Sequence, residues 1–314
     1  MRGIVLWLGV ILILVGAVGC TGEGGFSAEP DNRTLNVVAT IFPLSDLIGE
    51  LGGDRAAVSY LLPAGASPHT FEPTVEQTRL LTRADLFVYV GAGLDNWALQ
   101  MAEAAGTALT ILELAEQVEL LSAERDPLGG ETPGAEGREH DDEAVDPHIW
   151  LDPLLVRDQI CPRIYEALVE LAPEDAAYFT EKLDAYQEAL TALDEKVAGT
   201  VAGFRKTSFI SFHSAWGYFA RRYGLHEAGV IAGFHGQEPS ASQVAALAAL
   251  IKEEQIGAIF AEPQFSTALA ERLAAECGSE VLILDPLGGE ALPGRDSYFD
   301  LMLYNLDIME RALQ

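Results

Sequence analysis

The sequence predicts an α/β protein of two βα domains with parallel-type sheets, joined by one long linker helix. Three observations predict it. Short apolar strand signals alternate with amphipathic helical stretches in both halves of the chain, which is the pattern of parallel βαβ units. Between the halves, Phe179, Leu183, Tyr186, Leu190, Leu193 and Val197 recur at spacings of four and three, one apolar stripe on a single helix. Finally, several residues with coordinating chemistry fall in loops after strand signals, where α/β domains bind ligands. At 314 residues the chain is long enough for two domains with their own cores.

Composition narrows the partners. The net charge of −29 argues against nucleic acid, whose phosphates require clustered Lys and Arg. It suits a soluble surface that repels its own kind, and it can concentrate cations locally; a plainly solvated acidic surface accounts for it equally well. The three cysteines are Cys20, Cys161 and Cys277. No CxxC or zinc-finger spacing is present. Cys161 and Cys277 can form a bridge or remain free thiols, and the sequence leaves both open.

The N-terminus reads as a targeting segment. Residues 1–19 carry one basic residue, Arg2, then an apolar run from Ile4 to Val18. That run is short for a spanning helix and suits a signal peptide; an uncleaved anchor is the alternative. Small residues before Cys20 resemble the bacterial lipoprotein signal, in which the cysteine is acylated. Residues 20–34 then read as a flexible tether reaching at most about 50 Å when extended. Asn32-Arg33-Thr34 matches a glycosylation sequon, which a bacterial lipoprotein ignores. Either form of the N-terminus places the remainder outside the cytoplasm.

The first domain is expected over residues 35–172. Leu35 to Thr40 is a β-branched strand signal, followed by a helix from Pro43 to Leu51 that stops at Gly52-Gly53. Ala57 to Leu62 is the next strand and runs into the Pro/Gly loop that carries His69. A helix from Pro73 to Arg83 precedes the apolar strand Asp85 to Val90, which reads as buried on both faces. Gly91-Ala92-Gly93 then leads into a helix through Ala105. Asn96 stands where a dinucleotide fingerprint needs its third glycine, so nucleotide binding is set aside. Residues 122–147 form an acidic, Gly- and Pro-containing loop with few apolar side chains, including His140; this composition cannot build a core. Leu154 to Leu171 reads as a helix broken at Pro162.

The linker helix is expected over 173–203, opened by Pro173 with Glu174 and Asp175 at its positive end. The second domain, 204–314, repeats the alternation. Strands are expected at Ser208–Phe212, Ala228–Ala232, Ile256–Ala261 and Val281–Leu284. Helices are expected at Ala215–Tyr223, Ser240–Glu254, Thr267–Cys277 and Tyr298–Leu313.

The coordinating residues are His69, in Ser67-Pro68-His69-Thr70; His148, in Asp146-Pro147-His148-Ile149-Trp150; His213, after the first strand of the second domain; and Asp285, in Asp285-Pro286-Leu287-Gly288. Singly, a loop histidine is usually a surface or hydrogen-bonded residue, and an Asp before Pro often caps a turn. Jointly, three histidines and one carboxylate at loop positions of both domains fit one four-coordinate ion. That donor set suits Zn²⁺ best; Mn²⁺ prefers more oxygen donors.

These motifs resemble the zinc/manganese-binding solute-binding lipoproteins of bacterial ABC transporters, with the zinc-type members nearest. The resemblance also rests on Gly65-Ala66-Ser67, Phe71-Glu72-Pro73-Thr74, Asn96-Trp97, Tyr218-Phe219, Glu238-Pro239-Ser240 and Glu262-Pro263-Gln264-Phe265, and it covers nearly the whole mature chain. It implies two βα domains joined by a long helix with the metal in the interdomain cleft. The family's ligands map to His69, His148, His213 and Asp285. The third ligand is His in zinc-type members and Glu in many manganese-type members. Glu262 and Glu238 map to positions with a structural role, pairing with backbone or Arg. His140 and His235 are possible secondary metal contacts, and His226 reads as a surface residue. Two departures stand out: the loop before His148 is acidic rather than His-rich, and the second domain holds only Cys277, too few for the disulfide of some members.

The implied function is a high-affinity zinc receptor, a lipid-anchored monomer that hands its ion to an ABC permease and does no chemistry on it. The same role for manganese is the nearest alternative. A secreted metallohydrolase is the rival from another class; no HExxH is present, and Glu72 is the best general-base candidate, in a turn. The adhesin label that some family members carry finds no feature in this sequence.

Overall fold

Two sheets of four parallel strands form because the apolar runs are short and are separated by segments long enough for helical crossovers. The structure, a computed structural model, describes residues 33–106, 109–122, 145–232 and 239–314. The first sheet holds β1 (Leu35–Ala39), β2 (Ala56–Tyr60), β3 (Leu86–Tyr89) and β4 (Thr110–Glu113), in the order β2-β1-β3-β4. The second holds β5 (Ser208–Ser211), β6 (His226–Val230), β7 (Ala258–Ala261) and β8 (Glu280–Ile283), in the order β6-β5-β7-β8. Every strand pairing is parallel. The two orders are equivalent. Each sheet therefore reverses its winding at the centre, between β1 and β3 and between β5 and β7, and such a reversal opens a crevice at the carboxyl ends of the strands.

β4 was not foreseen from the sequence. It is four residues long, Ile111 on it is 37% exposed, and so Thr110-Ile111-Leu112-Glu113 shows neither a long apolar run nor a clean alternation. The expected break at Pro162 also differs. The single turn α4 (Pro153–Leu155), capped by the Asp152 side chain, continues through a π-helical turn, Val156–Ile160, into α5 (Cys161–Leu171). Cys161 N–H donates five residues back, to Val156 O. Pro162 thus falls in the first turn of α5, where its missing N–H costs least.

The remaining helices follow their sequence signals closely. They are α1 (Phe42–Gly52), α2 (Val75–Leu81), α3 (Asn96–Ala105), α6 (Ala176–Val201), α7 (Gly217–Tyr223), α8 (Ala241–Glu253), α9 (Ala268–Cys277) and α10 (Tyr298–Leu313). Capping boxes start α2 at Thr74 with Gln77, and α8 at Ser240 with Gln243. α1 ends at Gly53, with φ +48°, where an added Cβ would lie 2.3 Å from Tyr178 Oη; only glycine fits that close approach.

α6 has 26 residues, about 39 Å at ~1.5 Å per residue. The expected stripe is its buried face: Phe179, Tyr186, Leu190, Leu193 and Val197 are buried, with Leu183 partly so. That face packs on α1, α5 and α10. One continuous core results, which includes Val37 and Val88 of the first sheet and Phe209 and Phe260 of the second. The opposite face of the first sheet, Val38, Phe87 and Tyr89, packs on Ala98 and Ala102 of α3. The opposite face of the second sheet, Ile210 and Ile259, packs on Leu247 and Leu273 of α8 and α9. Each fully buried large side chain contributes roughly 1.5–3 kcal/mol.

Cys161, buried, and Cys277, partly buried, are free thiols. No helix among the described residues is long and apolar enough to cross a membrane. The expected signal peptide, Cys20, most of the tether, most of the acidic loop with His140, and His235 with Glu238 lie outside the described residues. The two ends of the acidic stretch meet: Ser122 bridges Val145, and Asp146 N–H donates to Leu121 O at 2.8 Å.

Candidate metal centre

His69 and His213 are delivered by loops at the carboxyl ends of β2 and β5. His69 lies between β2 and α2, and its loop is tied to α3 by Trp97 Nε1, which donates to Pro68 O at 3.0 Å. His148 stands just before a 3-10 turn, Ile149–Leu151. The buried Trp150 of that turn donates to Pro286 O at 2.7 Å, and its carbonyl accepts from Tyr298 Oη at 2.8 Å. His213 follows β5 directly, next to the centre of the second sheet. One nitrogen from each of His69, His148 and His213 lies within 4.8 Å of the others. The ring centroids are 5.0 to 5.5 Å apart. His148 and His213 are buried and His69 is partly buried.

Two carboxylates orient the buried rings. Asp146 Oδ1 lies 2.7 Å from His148 Nδ1 and also accepts from His148 N–H at 2.9 Å. Glu262, at the end of β7, places Oε1 2.7 Å from His213 Nδ1. An ionised carboxylate only accepts, so each Nδ1 carries the hydrogen and each Nε2 is left to face its neighbour. The two Nε2 atoms are 3.2 Å apart.

Burial lowers His148 well below the ordinary imidazole value, and the charge of His213 lowers it further. Burial also pushes His213 down. The charge and hydrogen bond of Glu262, with Glu227 and Asp146 behind, outweigh that and hold His213 above its ordinary value. Burial pushes Asp146 up to about 7, against the pull of the His148 N–H.

Asp285 is placed differently from the histidines. It is 1% exposed and stands after β8, outside the three-histidine group. Its Oδ1 accepts from Leu287 N–H, Gly288 N–H and Gln264 Nε2, at 3.0, 3.1 and 3.3 Å. Its Oδ2 accepts from Arg295 at 2.8 Å. Four donors already use this carboxylate. Glu262 was expected to pair with backbone or Arg; it accepts from the His213 backbone N–H at 3.4 Å, and its shorter contact is to the His213 ring. The position of Glu262 at the end of the strand beside β5 is the signal that could have suggested this. For Asp146, the signal was its place two residues before His148. His226 is exposed on β6.

Three imidazoles converging from two parallel α/β sheets form a group that could hold a metal ion. Residues 37–312 match the family described as ZnuA, zinc-uptake complex component A, periplasmic, and the chain belongs to that family. It is 29% identical over 316 residues to the high-affinity zinc uptake system protein ZnuA of Bacillus subtilis (strain 168), covering 98% of each chain. It is also 29% identical over 282 residues to the zinc-binding lipoprotein AdcA of Streptococcus pneumoniae serotype 4, covering 88% of this chain and 56% of that longer protein. A crystal structure of ZnuA superposes with a TM-score of 0.78 at 30% identity, covering 90% of this chain and all of the other.

Proposed function

We propose that this protein is an extracytoplasmic receptor that captures Zn²⁺ as cargo and delivers it to the permease of an ABC transporter. The observation that carries the reading is the convergence of His69, His148 and His213 within 4.8 Å, with two of the rings oriented by carboxylates. Neutral imidazoles suit Zn²⁺. The zinc names of the ZnuA and AdcA relatives support it. Cys20 is the proposed lipid anchor, the receptor acts as a monomer without enzymatic chemistry, and His140 and His235 are secondary contacts at most. Residues 35–172 and 204–314 are the proposed metal-binding domains, tied by 173–203. The continuous core behind the site argues for release through its loops rather than through wide hinge closure. Asp285, expected as the fourth ligand, would have to leave Arg295 to reach the ion. The oxygen-poor donor set favours zinc over manganese.

The test is a Zn²⁺ titration of the metal-free protein against a chelator, beside His213→Ala, with growth rescue by each metal deciding between zinc and manganese. Tight binding by the parent and its loss in the variant are expected. Affinity should fall as pH drops through about 6, because protons compete for the imidazoles; the raised His213 extends this competition to higher pH. Affinity that is flat between pH 5 and 8 would sink the three-histidine reading.

A further inference from the structure

Glu227 lies on β6, the edge strand of the second sheet. Both of its carboxylate oxygens are engaged by serines of β5 and the loop after it. Oε1 accepts from Ser211 Oγ at 2.6 Å, and Oε2 accepts from Ser214 Oγ at 3.0 Å. Ser211 stands two residues before His213 and Ser214 one residue after it. A single carboxylate therefore ties down the chain on both sides of the buried ring.

The backbone of β6 is irregular at this point. Glu227 is opposite Phe209 and Gly229 is opposite Ile210, so β6 holds one extra residue, Ala228, between pairs that are consecutive on β5. That is a β-bulge, a device that re-aims side chains next to sites. An unbroken register carried back from Gly229 would set Glu227 opposite Ser208, and a slip of one residue turns a side chain to the other face of the sheet. That face packs Ile210 and Ile259 on Leu247 and Leu273, where a carboxylate would find no donor among the apolar groups. With the extra residue in place, Glu227 shares the face of Phe209 and Ser211. Its side chain then leans toward the strand end that carries His213.

β5 lies between β6 and β7 in the sheet. From β7, Glu262 holds the His213 ring through Nδ1. From β6, Glu227 holds the chain that carries the ring. We propose that Glu227 is a positioning residue for zinc capture, which acts through Ser211 and Ser214 to fix the turn so that His213 is aimed before the ion arrives. Ordering the turn in advance removes that cost from binding. This inference rests on the reading that the histidines bind zinc.

Glu227→Ala and Ser214→Ala test it, with Glu227→Gln as the conservative variant and Glu227→Ala combined with Ser214→Ala as the double variant. Three readouts are needed: Zn²⁺ affinity by chelator competition, the visible spectrum of the Co²⁺-loaded protein, and the melting temperature of the metal-free protein. Glu227→Ala should lose about tenfold in Zn²⁺ affinity, the lower end of the range for groups behind a ligand, and shift the Co²⁺ bands. Ser214→Ala, which cuts only the tie next to His213 and leaves the strand intact, should move both in the same direction by less. Glu227→Gln should recover most of the affinity, because its amide oxygen still accepts one hydroxyl and its NH₂ group can donate to the other. The double variant should lose no more than Glu227→Ala alone, since both changes remove one tie. Parent-like affinity and an unaltered Co²⁺ spectrum in Glu227→Ala and Ser214→Ala would overturn the proposal, even with lower melting temperatures, because a merely structural tie moves the melting temperature alone. Losses that add in the double variant, or Glu227→Gln as weak as Glu227→Ala, would overturn it too. If Glu227→Ala fails to fold, Ser214→Ala decides by the same two readouts. A parent protein that fails to bind zinc would instead refute the receptor reading itself, so the two failures are distinguishable.

Discussion

The two sheets have the same strand order, yet their central crevices have opposite characters. In the first sheet the strand ends beside the reversal carry Thr40, after β1, and Asp95, after β3. Thr40 donates to Asp95 Oδ2 at 2.6 Å, Val90 N–H to Oδ2 at 2.9 Å and Gly91 N–H to Oδ1 at 2.9 Å. That crevice is closed by its own hydrogen bonds. In the second sheet the equivalent ends carry His213, after β5, and Glu262, after β7, and acceptor atoms are left over. The first half instead sends His69 from the loop after its outer strand β2 and His148 from just before the 3-10 turn Ile149–Leu151. One topology thus supplies two crevices, and the local pairing of polar atoms decides which is structural and which can take a ligand.

The largest expected effect is His213→Ala, which should cost more than 100-fold in Zn²⁺ affinity, beyond the 10–100-fold typical of groups behind a ligand. Measured by chelator competition, a loss below tenfold would remove the second crevice from the site. Glu262→Ala and Asp146→Ala should each fall within that 10–100-fold window, because each frees an Nδ1 that the carboxylate now holds. Asp95→Ala should behave oppositely. It leaves two buried N–H groups and one hydroxyl without an acceptor, at a cost of about 1–3 kcal/mol in urea unfolding, with Zn²⁺ affinity unchanged. A change in affinity there would mean that the first crevice is not purely structural.

The smallest effect is a pH slope. Burial raises Asp95 from 3.8 to about 6 and Asp46 from 3.8 to about 6. The folded protein therefore holds these protons more tightly than the unfolded chain. Their contribution is fully present below about pH 4 and is lost as pH rises through about 6. Denaturation of the metal-free protein should show this decline, and Asp95→Asn should make it shallower. An unchanged slope would place the titration elsewhere.

Much of this was legible in the chain. The stripe on α6 and the apolar runs of seven strands follow directly from local periodicity. The three histidines stood out because they sit in punctuated loops after strand signals. β4 escaped because an exposed four-residue edge strand carries no periodic signal. The continuous path through Pro162 escaped because a π turn depends on a shift of one residue that composition does not reveal. The engagement of Asp285 and Gln264 depends on Arg295 and on the return of the chain after β8. Such pairings are fixed by tertiary approach and leave no spacing to read.

The bonds around Trp150 have a consequence for the order in which the site can come into being. By chain position His148 belongs to the first half. Its neighbours Trp150 and Asp146, however, are held by Pro286, Tyr298 and Tyr218. A growing chain that has reached the end of α6 already contains His69, His148 and the Asp146 carboxylate that orients the second ring, but it lacks Pro286, Tyr298 and Tyr218, which hold Trp150 and Asp146. The full set of contacts around the trio therefore exists only once α10 is in place, since its Tyr298 holds the Trp150 carbonyl.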